Sequence, residues 1–157
     1  MQRLFQISLL YSIFILSSCS TEKHLTSTLD LVIALQRTPC YGECPVYNFQ
    51  VLNNGEATLT VGRFGTDKME LDLKEGDYSG KISTVVVDEI IQYAKAADYF
   101  TLNNEYDDKR VMDLPAIILN IDGHRVFNRF EGPNLEDLYS FIESKISDVQ
   151  WHSINEN

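Results

Sequence analysis

The chain has 157 residues, of which 44% are hydrophobic and 23% charged; that suits one globular domain and excludes global disorder. Thirteen Lys+Arg against 23 Asp+Glu give a net charge of -10, a surface that repels phosphate backbones and argues against a nucleic-acid partner. The string holds no Walker loop, dinucleotide fingerprint, HExxH or GxSxG, so the commonest catalytic signatures are missing as well.

Residues 1–18 read as an export leader. Arg3 supplies the positive start, and ten of the thirteen residues from Leu4 to Leu16 are apolar. At helical rise they reach ~20 Å, short of a ~30 Å hydrocarbon core, so the run is a leader core and not a spanning helix. It ends in Leu16-Ser17-Ser18-Cys19, which resembles the lipobox of bacterial lipoproteins. On that resemblance Cys19 is acylated and becomes the mature N-terminus. The competing reading is a secreted protein with a cysteine near its cleavage site by chance; the order of charge, apolar core and small-small-Cys favours lipidation. Cleavage removes Arg3 alone among the charges and leaves the body one unit more acidic. The anchor, and not the surface, would then hold the protein to a membrane. Residues 19–29 read as a tether, 30–152 as a single domain and 153–157 as a tail.

Leu31 to Leu35 is an apolar run that fits a buried strand, and Arg37 to Pro45 is a loop dense in turn residues. Val46–Leu52 and Ala57–Val61 alternate around Asn53-Asn54-Gly55, a hairpin signal. Met69–Leu73 alternates again and is a third strand candidate, and Gly76–Gly80 breaks the pattern. Val86, Ile90, Ala94 and Ala97 then fall at helical spacing, with Ser83 or Thr84 as the cap. Three valines at positions 85–87 make the helix start its weakest part. A polar loop follows from Asn103 to Asp113. Pro115–Ile121 and Arg125–Phe130 around Asp122-Gly123 make a second hairpin. Asn134 can cap a last helix whose stripe is Leu135, Leu138, Ile142, Ile146 and Val149. The expected fold is α+β: a mostly antiparallel sheet, two hairpins plus further strands, with two helices on one face.

The string Arg37-Thr-Pro-Cys-Tyr-Gly-Glu-Cys-Pro-Val-Tyr47 is the most distinctive in the chain. With Gly55, Gly76-Asp-Tyr-Ser-Gly80, Tyr106, Asp113-Leu-Pro115, Gly132-Pro133 and Trp151, it resembles a bacterial family known as domain of unknown function 6438. Many of its members are exported or lipid-anchored. The resemblance spans roughly residues 31–151, tolerates Tyr41 and Met112 at variable positions, and implies a fold but no activity.

Cys40 and Cys44 are an even pair once Cys19 is lipidated, and an oxidising compartment favours joining them. Three intervening residues can bring the Cα atoms within bonding range. A redox pair would want two intervening residues at a helix start, and zinc would have to recruit from His24, His124 and His152, none at a ligand spacing. A structural disulfide is the favoured reading of the three. The acidic stretches around Asp107, Asp108 and Asp113, and around Glu70 and Asp77, lack the calcium-loop pattern and read as solvated loops. Asp113 could instead fix the turn into the following strand.

Candidate ligand-contacting residues are Arg37, Tyr41, Glu43 and Asp113. The competing reading, slightly favoured, has Arg37 in a local ion pair and Tyr41 packed over the disulfide. The leading functional expectation is a lipid-anchored cell-envelope protein whose domain binds or builds without catalysis. Its partner would be an envelope protein, a glycan or a small molecule, and no cofactor or metal is expected. The alternative is an enzyme or thiol-redox protein using the Cys40–Cys44 loop. Arg37, Asp113 and both cysteines gathered in one concave pocket would favour the alternative, and a flat loop over a buried disulfide the first.

Overall fold

The computed structural model describes residues 29–67 and 69–154. The leader, Cys19 and most of the tether lie outside the described residues. Strands β1 (Leu31–Arg37), β2 (Tyr47–Leu52) and β3 (Glu56–Val61) form a meander. Gly55 closes its second turn at φ 81°, a conformation only glycine adopts cheaply, and a Cβ there would meet the Ile82 carbonyl oxygen at 2.3 Å. Strand β4 (Gly76–Lys81) leads into helix α1 (Thr84–Ala96). Then come β5 (Glu105–Tyr106), β6 (Ile117–Ile121), β7 (His124–Asn128), helix α2 (Glu136–Ser147) and β8 (His152–Ser153).

The described residues build an eight-stranded sheet in the order β5-β7-β6-β1-β2-β3-β4-β8. All neighbours are antiparallel except β5 and β7. This is the expected α+β class. Alternate residues of the central strands, Ile33 and Leu35, Phe49 and Val51, Leu59, Leu119 and Ile121, are buried with Ile90 and Ala94 of α1 and Leu138, Ile142 and Ile146 of α2 in one core. Each such aliphatic contributes roughly 1.5–3 kcal/mol by leaving water. The opposite face of β3, with Glu56, Thr58 and Thr60, stays in solvent, so the helices cover one face only. Tyr93 of α1 stacks on Phe141 of α2 at 4.5 Å between centroids and fixes the helices against each other.

Several boundaries differ from the sequence pattern. Met69–Leu73 is not a strand: Met69 is buried and Leu71 and Leu73 pack on the core, but the backbone turns, with Met69 N donating to Thr66 O at 2.9 Å. The strand lies instead at Gly76–Lys81, in the glycine-punctuated segment read as a break. Gly80 is there for packing, since a Cβ would meet Val149 and Trp151 at 2.6 and 3.0 Å. Tertiary pairing with β3 overrides its poor strand propensity. The three valines do enter α1. Ser83 caps it, its Oγ accepting from Val86 N at 3.3 Å, and Val87 is buried. Asn134 sits one residue before the observed cap, Leu135, and its Oδ1 accepts from Glu136 N at 3.0 Å. Strand β8 takes in Ser153, just beyond the span read as the domain, by pairing with Tyr78 of β4. Among the described residues no helix is long and apolar enough to cross a membrane.

Candidate functional site

Arg37 reads as a loop residue from the sequence but is the last residue of β1. It continues the inward alternation of Ile33 and Leu35 and is 8% exposed. Its register partners are Tyr47 on β2 and Ile117 on β6. A buried guanidinium needs a counter-charge, and it comes from α2. Arg37 Nε donates to Glu143 Oε1 at 2.7 Å, and the Tyr47 hydroxyl donates to the same oxygen at 2.6 Å. Arg37 Nη2 reaches Glu136 Oε1 at the longer distance of 3.5 Å. The guanidinium carbon lies 5.6 Å from the centre of the Tyr139 ring.

The electrostatics follow from burial. Desolvation alone would lower the Arg37 pKa; the Tyr47 oxygen and the Glu143 carboxylate reverse that and raise it. Burial, reinforced by the charge of Glu143, drives the Tyr47 hydroxyl well above the usual tyrosine range. Arg37 is therefore a fixed cation and Tyr47 a fixed neutral donor. Neither is suited to carry protons.

In front of this cluster opens a cavity of about 370 Å³. Cys44 and Pro45 wall it on the side of the disulfide loop, and Pro115 to Ile117 on the side of β6. Asn134 to Glu136 close it at the start of α2, with Arg129 beside them. Thr38 ties two of these walls, donating from N to Ala116 O at 3.0 Å and accepting from Ala116 N on Oγ1 at 2.7 Å. That pair secures the entry to β6, the task sequence reasoning offered to Asp113, which is exposed.

The remaining candidates separate. Cys40 and Cys44 are joined, their Cα atoms 5.7 Å apart. Tyr41 is 97% exposed, so it does not pack over the disulfide, and Glu43 is exposed beside it. Arg37 does form an ion pair, though with a residue 106 positions away instead of a local one. The cavity thus gathers Arg37 and Cys44 and leaves Tyr41, Glu43 and Asp113 outside its lining. Neither arrangement anticipated from the sequence holds in full: the loop borders a concavity, and Asp113 is not in it.

Sequence reasoning missed Tyr47, Glu136, Tyr139 and Glu143. One signal was present: Glu143 follows Tyr139 by four residues, beside the buried stripe of α2. Asp107, read as a solvated carboxylate, instead pairs with Arg129 Nε at 2.5 Å. Among the described residues no group of three or more His, Cys, Asp or Glu side chains could hold a metal ion.

Fold and site together define a two-layer α+β domain with a cavity at one end of its sheet, lined by Arg37, whose guanidinium is held from behind by the buried Glu143 and Tyr47. The chain belongs to the family described as Domain of unknown function (DUF6438), which it matches over residues 31–144. The match ends within α2, before Trp151, and membership assigns a domain without assigning chemistry. No curated protein and no solved structure matches the chain.

Proposed function

We propose that the protein is a lipid-anchored cell-envelope protein whose domain holds a ligand in the Arg37 cavity without transforming it. The observation that carries the binding half is a concave site, in the size range of small-molecule pockets, with mostly apolar walls and one buried cation. The non-catalytic half is supported by what borders it. Both loop sulfurs are engaged in one bond, Arg37 is neutralised by Glu143, and Tyr47 is locked as a donor. The anchor is supported by the leader ending in Leu16-Ser17-Ser18-Cys19.

Replacing Cys19 with Ala should move the protein from the membrane fraction into the soluble fraction; a variant that stays with membranes sinks the lipoprotein reading. Binding is tested on protein extracted under native conditions from its own envelope, with mass spectrometry of whatever it carries. A molecule carried by the wild type should be lost from Asn134→Trp, which places an indole at the cavity mouth. Equal recovery from both, or none from either, counts against the cavity as a ligand site.

A further inference from the structure

The guanidinium at the cavity floor is only partly used. An arginine has five N–H donors. Nε is committed to Glu143, and Nη2 makes one long contact with Glu136. Nη1 donates to nothing among the described residues, although the side chain lines the cavity. Arg129 repeats the pattern on the same wall: Nε is held by Asp107 and Nη2 reaches Asp108 O at 3.4 Å, which leaves its Nη1 open. These open donors belong to side chains that line the cavity, where a ligand acceptor would gain a charge-assisted hydrogen bond.

We infer that the cavity takes a small monocarboxylate with an apolar body, its carboxylate received on the open edge of Arg37. This inference rests on the binding reading above. A planar carboxylate offers two acceptors at the spacing of the guanidinium fork. One negative charge is the limit, because Glu136 stands at the mouth and Glu143 behind Arg37, and a dianion would face both. The body of the ligand meets Pro45, Pro115, Ile117, Pro133 and Leu135. A volume of about 370 Å³ holds something the size of an N-acylated amino acid.

Calorimetric titration of the full chain in detergent tests this, with N-acetylleucine, its primary amide, methyl phosphate, and a tripeptide ending in leucine with its amide. The acid should bind about tenfold or more tighter than its amide, the gain of a charge-assisted bond. The tripeptide separates a chain terminus from a free acid as the source; a preference for the acid form in either pair supports the inference. Arg37→Met combined with Glu143→Gln removes both charges together, so no carboxylate is left buried alone, and Tyr47 can still donate to the new amide. In that protein the acid preference should vanish. Arg37→Lys, which keeps the charge and loses the fork, should reduce the preference without abolishing it. Equal binding of acid and amide, a preference that survives the double change, or tighter binding of methyl phosphate overturns the carboxylate assignment and leaves the binding reading standing. Binding of none of the probes at millimolar concentration also overturns it, and the binding reading is then judged on the co-purified molecule alone.

Discussion

The floor of the cavity is Arg37, held from behind by Glu143, 106 positions away in the chain, whereas its rim is closed by a disulfide between cysteines four positions apart. The floor exists only after β1, β2 and α2 have assembled, because Arg37 and Tyr47 both donate to one carboxylate oxygen of Glu143 and all three side chains are shielded from water. The rim is shaped within nine residues of chain and stands largely in solvent, with Tyr41 and Glu43 at its tip. Stability and site geometry should therefore be coupled at the floor and nearly independent at the rim. Only the floor combines a buried charge with an unfilled hydrogen-bonding edge, which is why the ligand reading is placed there and not on the exposed loop.

The largest effect is expected at the floor. Glu143→Ala strands the Arg37 cation and the Tyr47 hydroxyl in a buried site, and breaking a buried pair from one side costs about 3–5 kcal/mol. Urea denaturation of the single variant should show a loss of that size. Arg37→Leu together with Glu143→Leu should recover most of it, since no unpaired charge remains. A single variant that loses less than about 1 kcal/mol would mean the floor is hydrated and uncoupled from the fold.

The rim's own bond ranks second. A ring closed by three intervening residues removes little unfolded-state entropy, roughly 2 kcal/mol. The core, built from β1, β2, β3, β6 and both helices, contains neither cysteine. Cys40→Ser with Cys44→Ser should fold with a lowered melting temperature, and thiol counting on denatured, unreduced wild type should find none free from this pair. Global unfolding of the double variant would show that the rim carries part of the fold after all.

The same division explains how far the sequence could be read. Period and turn chemistry were enough for the hairpins: Asn53-Asn54-Gly55 and Asp122-Gly123 need positive φ, and both have it at their glycines. The stripes of α1 and α2 were plain for the same reason, because every stripe residue of α2 from Leu135 to Val149 is buried. Strand β4 was not, because its Gly80 is dictated by Val149 and Trp151, which arrive from the far end of the chain. Of the site, the rim was visible as a local string. The floor was not, because an arginine at the end of a strand and a glutamate beside a helix stripe each look solvated until the fold puts them 2.7 Å apart. Asp107 was misread on the same grounds, its partner Arg129 lying 22 positions on.

The smallest effect is expected at the tip of the rim. Tyr41 is 97% exposed, so an aromatic ring that would contribute several kcal/mol in the core has almost no apolar area to lose there. Tyr41→Ala should change stability by no more than about 0.5 kcal/mol, the range of surface substitutions without a buried partner. It should also leave N-acetylleucine binding unchanged, because Tyr41 does not line the cavity. The two measurements separate two roles for the loop. If stability holds and binding of the small acid holds, the loop only walls the cavity through Cys44 and Pro45. If stability holds but capture of a larger envelope partner fails, Tyr41 is a contact for that partner, and recognition extends beyond the cavity onto the rim. A loss of stability above 1 kcal/mol would contradict the division itself, since it would tie the most exposed aromatic of the described residues to the fold.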